Sequence, residues 1–80
     1  MNVWIARDTD GRLSAWEKAP PTCREGIWNH NLDKDAKFIG AGKKVKKLFQ
    51  SEFENVEPGH MIKCRISSIV LIDDVEEVEL

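Results

Sequence analysis

Four side chains of this 80-residue chain have the chemistry of soft metal ligands: Cys23, His30, His60 and Cys64. Zinc takes four such ligands in a tetrahedron. An even offset puts His60 and Cys64 on one face of an extended strand. Against a shared ion, the spacings C-x6-H and H-x3-C fit no standard zinc module, and four strand steps would hold the last two ligands about 13 Å apart. A site on these residues requires Pro58-Gly59 to curl the chain back at His60. Without that curl they read as two buried thiols and two surface imidazoles, and the sequence implies no metal and no cofactor. With no export signal, the thiols are expected to be reduced rather than bridged.

Two other stretches carry fragments of binding motifs. Asp8-x-Asp10-Gly11 begins like a calcium loop, but the twelfth position is Ala19, which cannot supply the bidentate carboxylate. A tight turn explains these residues better. Gly40-Ala41-Gly42-Lys43-Lys44 precedes a helical pattern, so its backbone N–H groups and lysines suit a phosphate. A nucleotide-binding P-loop would need glycine where Lys37 stands and a hydroxyl where Lys44 stands. Weak contact with a backbone phosphate is all that this stretch supports. Only two histidines are present, neither in a nucleophile motif, and there is no tyrosine. The chain is therefore read as a non-enzyme.

The strongest functional signal is a block of charge. Residues 36–50 hold Lys37, Lys43, Lys44, Lys46 and Lys47 and no carboxylate, whereas residues 73–80 hold five carboxylates and no base. These two segregated blocks, +5 and −5, cancel, and the formal net charge of −2 comes from the rest of the chain. A lysine patch neutralises phosphates or acidic protein surfaces. The bland alternatives are a solvated helix face, or a helix paired with the acidic tail. The absence of arginine from the patch, the lone neighbouring aromatic, Phe38, and the overall acidity argue against base-specific readout.

These residues must be positioned by a small α+β domain: an antiparallel sheet of about four strands with one amphipathic helix packed on one face. Residues 3–17 form a hairpin, since two short strand-like runs flank Asp10-Gly11. Gly11 at positive φ in a G1 bulge puts Asp8 opposite Arg12. That register sets Trp4 across from Trp16 and Ile5 across from Ala15, so the two indoles share a face as a structural aromatic pair. Residues 18–26, with Pro20-Pro21, read as a loop, a short strand begins near Ile27, and Phe38-Ile39 re-enters the sheet. Gly40-Ala41-Gly42 reads as a flexible hinge.

Val45, Leu48, Phe49 and Phe53 fall at i, i+3, i+4 and i+8, which predicts a helix over about 43–53 without a strong N-cap. Residues 60–72 read as one long strand, with Ile62, Cys64 and Ile66 on one face and Lys63 and Arg65 on the other. Past Ser67-Ser68 it is apolar on both faces, so it is central in the sheet, bulged at the serines, or covered by a partner. Residues 73–80 read as a frayed acidic tail.

With 41% hydrophobic residues and three tryptophans, the composition excludes a disordered chain. No run approaches the roughly 20 apolar residues of a membrane span, and the N-terminus lacks a basic, signal-like start. A cytoplasmic location is expected.

Val3-Trp4-Ile5-Ala6-Arg7-Asp8, followed by Asp10-Gly11 and Leu13, resembles the start of small uncharacterised proteins encoded by gut bacteria and their prophages. In these, a VWIARDxDGxL-type hairpin precedes a segment like Gly26-Ile27-Trp28 and a Leu-Phe pair like Leu48-Phe49. The resemblance covers the first 28 residues closely and departs in the lysine-rich segment 34–47 and the strand after Pro58. It implies a phage or mobile-element origin and no activity. The expected function is non-catalytic interaction with a host or phage protein. A symmetric homodimer through the 66–72 strand is a structural alternative, and weak, sequence-independent nucleic-acid binding through Lys43–Lys47 is the functional one.

Overall fold

The fold starts from the Asp10-Gly11 turn. In the computed structural model, which describes residues 1–31, 34–49, 56–68 and 71–78 (Ser68 and the last span by backbone alone), β1 (Asn2–Arg7) pairs antiparallel with β2 (Leu13–Glu17). The register is the expected one, Trp4 opposite Trp16 and Ile5 opposite Ala15. Gly11 has φ 95°, and the Asp8 amide donates to the Arg12 carbonyl at 2.8 Å. A side chain at that φ would be strained, so Asp-Gly sets the register of the whole hairpin.

The chain continues through β3 (Thr22–Arg24), β4 (Ile27–Asn29), β5 (Lys37–Ala41), α1 (Lys43–Phe49), β6 (Met61–Ser68) and β7 (Leu71–Val78). β3 and β4 form a separate two-stranded ribbon, and the main sheet has the order β5-β2-β1-β6-β7, with every pairing antiparallel. The class is α+β, with one short helix among the described residues. Side-chain alternation sorts the core into two parts. Val3, Ile5, Leu13, Ala15, Ile62, Cys64 and Ile66 lie in one buried cluster that also contains Val45 and Phe49 of α1. Trp4, Ala6, Trp16 and Met61 alternate to the other side, where Trp28 clusters with Ala6 and Met61, and Ala19 and Ala36 cluster with Trp16. Complete burial of side chains such as Phe49, Ile5, Met61 and Ile66 contributes about 1.5–3 kcal/mol apiece.

The turn after β1 also ties the ribbon to the sheet. Asp8 accepts from the Trp28 amide at 2.9 Å, Trp28 Nε1 donates to the Arg7 carbonyl at 3.0 Å, and the Thr9 amide donates to the Gly26 carbonyl at 2.9 Å. Arg7 reaches the other way, Nε to the Val56 carbonyl at 2.6 Å and Nη1 to the Gly11 carbonyl at 2.9 Å. Gly26, at φ 79°, has no room for a Cβ against Thr9. The two segments that carry the resemblance, 3–13 and 26–28, thus dock on one another.

Four expectations change. The 18–26 segment is not all loop: Glu25 and Gly26 both take positive φ, 54° and 79°, and join β3 to β4 as a two-residue turn of type I′ form. Gly40 and Ala41 belong to β5, not to a hinge, and only Gly42 turns the chain. The long strand ends at Ser68, with a register shift between Ile66 and Ser68, and Leu71–Val78 returns beside it. The acidic segment is therefore an edge strand rather than a frayed tail, paired through residue 78 along β6. Helix α1 is described to Phe49, and the remainder of the expected 43–53 span lies outside the described residues.

Candidate functional site

The lysine block sits where β5 runs into α1. Lys37, at the start of β5, is 3.3 Å from Glu17 and so is part of a cross-strand ion pair. Lys43, Lys44, Lys46 and Lys47 are exposed, and no salt bridge links them to a carboxylate among the described residues. A Cβ on Gly40 would lie 3.3 Å from Lys44 Cδ, so the Lys44 stem crosses directly over the β5 backbone.

Local electrostatics oppose this arrangement. Lys43 faces Lys46 and Lys47 at i+3 and i+4, and Lys44 faces Lys47 at i+3. Such like-charge pairs each destabilise a helix by about 0.2–0.5 kcal/mol. The first turn contains no acidic residue, so Lys43 and Lys44 also oppose the positive end of the helix dipole.

The acidic strand does not relieve that repulsion. β7 is the far edge of the sheet from β5, four interstrand spacings or about 19 Å away, while α1 contacts mainly β2 and β5. At physiological ionic strength this is more than twice the Debye length of about 8 Å. The partners of β7 are local. Glu76 is the position opposite Lys63 and Asp74 the position opposite Arg65 in the backbone register. Directly opposed opposite charges contribute about 0.2–1 kcal/mol each. Lys63 also stands 6.0 Å from the Trp4 ring centroid, at the outer limit of a cation–π contact.

The phosphate-loop expectation loses its main donor, because the Gly42 amide donates to the Leu13 carbonyl at 2.7 Å. The Asp8 and Asp10 carboxylates are likewise committed to the turn: Asp8 to Trp28, and Asp10 to the Arg12 amide at 3.0 Å and its guanidinium at 3.5 Å. The four soft ligands are not brought together. Cys64 is buried in the cluster shared with α1, whereas Cys23 is half-buried beside Trp28 on the other side of the sheet. The two thiols form no disulfide. His60 lies near Glu57, and His30 packs edge-on to Trp16 at 5.3 Å.

His30 leads to a feature that the sequence reading missed. A groove of about 410 Å³ separates β4 from β2 and β5, lined by Ser14, Trp16, Trp28, Asn29, His30 and Phe38 among others. Phe38 meets Trp16 at 5.2 Å and is 48% exposed. Asp8 and Ser14 also line this groove, so an acid, a histidine and a hydroxyl share one concavity. They form no relay. Asp8 binds Trp28, His30 Nδ1 donates to the Ala36 carbonyl at 3.0 Å, and the Ser14 hydroxyl accepts from Trp16 Nε1 at 3.0 Å. A nucleophile needs its base within hydrogen-bond reach, and none of these bonds joins one to another. What the groove offers is an aromatic wall beside β5, the terminal strand of the sheet among the described residues. The only sequence signal for it was the pairing of Phe38 near Trp16, invisible until the β2–β5 register was known.

No family model, no curated protein and no solved structure matches the chain.

Proposed function

We propose that this chain is a non-catalytic interaction protein encoded by a phage or mobile element, which uses the lysine face of α1 to engage an acidic surface of a host or phage protein. In this reading α1 covers one face of the sheet through Val45 and Phe49 and turns its lysines outward. One observation carries it: among the described residues no salt bridge joins the four exposed lysines to a carboxylate, while the register of β7 on β6 puts position 76 opposite Lys63 and position 74 opposite Arg65. An anionic partner would offset the repulsion among these lysines. The origin rests on the resemblance of segments 3–13 and 26–28, and their mutual docking gives that pairing a physical reason.

The test is a pull-down from the native host with the wild type and a K43E/K44E/K46E/K47E variant. A partner recovered reproducibly by the wild type and lost by the variant supports the reading. Recovery of no partner that depends on these lysines counts against it.

A second reading uses the same lysines for weak, sequence-independent nucleic-acid binding. The half-exposed Phe38 on the adjoining strand favours it, since bases stack on such rings. Titration of labelled DNA and RNA at two salt concentrations separates the two. Salt-sensitive binding at micromolar protein supports the nucleic-acid reading, and its absence removes it.

A further inference from the structure

Three features converge on β5. It is the terminal strand of the sheet, with its outer edge unpaired among the described residues. Such an edge presents N–H and C=O groups able to template another strand. On one side of it, the groove displays Phe38 against Trp16 and His30. On the other, the Lys44 stem lies over Gly40, and Lys43 stands beside it at the entry to α1.

A strand laid along this edge would point successive side chains to alternate sides. One set would meet the aromatic groove and the other the lysines. Resting on the proposed role of the lysine face, we propose that β5 accepts an extended segment of a partner protein in which acidic and apolar residues alternate. Main-chain hydrogen bonds along the edge supply the common affinity of strand addition, and the alternating side chains supply selectivity. Charge complementarity fixes the occupant: the lysines select carboxylates, and the half-exposed Phe38 gives the apolar set a surface to cover. Lys37 is tied to Glu17, and Lys44, over Gly40, is the cation placed on the β5 backbone itself.

The probe is a capped heptapeptide, Glu-Val-Glu-Phe-Glu-Val-Glu, titrated by fluorescence anisotropy against the full chain. Its block isomer, with all four glutamates first, has the same charge and composition. The alternating peptide is expected to bind at least tenfold tighter than the isomer, to weaken as salt rises, and to lose binding to K43E/K44E. N-methylation of alternate peptide amides keeps charge and side chains while deleting donors. Methylation in one register should abolish binding, and in the other register leave it within about threefold.

Equal binding of the alternating and block peptides, lost in K43E/K44E, overturns strand addition and leaves the lysine face standing as a charge-driven surface. Tight alternating-peptide binding that is indifferent to both N-methyl registers also overturns it. No binding of either peptide at low salt overturns this proposal and the reading of the lysine face together.

Discussion

At the scale of single residues, a few side chains and backbone conformations fix the geometry of everything larger. Asp8 joins β1 to the ribbon through the Trp28 amide. Replacing it with alanine orphans a part-buried donor, and the expected loss is about 1–3 kcal/mol, read as a lower urea midpoint. Lys18 sits at φ 70°, with the Ala19 amide donating to the Glu17 carbonyl at 2.8 Å around it. This is a tight three-residue turn of the strained kind. Lys18→Gly relieves that strain and is expected to stabilise the fold by up to about 1 kcal/mol, seen as a rise in Tm. Glu25, at φ 54° in the ribbon turn, makes a parallel case. Asparagine suits type I′ turns, so Glu25→Asn should raise Tm in the same assay, and a fall would show that Glu25 serves another purpose.

At the scale of elements, what was legible depended on how local the causes were. The first hairpin could be read to the residue, because Asp10-Gly11 sets its register and every paired residue follows by counting. The helix could be read from Val45, Leu48 and Phe49, whose spacing needs no partner to interpret. β3 was hidden: three residues between Pro20-Pro21 and Glu25-Gly26 offer no alternation, and Glu-Gly is a weak hairpin signal compared with Asn-Gly. β7 was hidden for a different reason. Five carboxylates in 73–80 argue against a strand taken alone. Only the register that brings Asp74 opposite Arg65 and Glu76 opposite Lys63 makes the strand sensible. The 66–72 segment expected to carry a dimer is divided: Ile66 is on β6, between β1 and β7, whereas Leu71 and Ile72 belong to the terminal strand β7. The lysines were legible as a block, and the aromatic groove beside them was not, because Trp16 and Phe38 meet only through the β2–β5 pairing. Lys44→Glu tests the cost of the block within α1. It places an acid near the helix start and opposite Lys47, and should stabilise the isolated protein by about 0.5–1.5 kcal/mol while weakening binding to acidic peptides.

At the scale of the whole molecule, the sheet holds its two charge blocks apart. β7 runs in register along β6, with positions 74 and 76 opposite Arg65 and Lys63, whereas in the basic block Lys37 pairs with Glu17 and the four lysines of α1 have no salt bridge among the described residues. Stability and binding to an acidic partner are therefore expected to pull in opposite directions at the lysines of α1. No helix among the described residues is long and apolar enough to cross a membrane.

Urea denaturation of two double variants tests that division most directly. In K43E/K44E the repulsion within α1 is relieved, and the midpoint is expected to rise. In K63E/R65E two new glutamates would face Glu76 and Asp74, and the midpoint is expected to fall by the equivalent of about 1–2 kcal/mol. A clear fall in K43E/K44E, or an unchanged midpoint in K63E/R65E, would contradict the account, since the lysines would then be matched inside the fold or the acidic strand would not depend on β6.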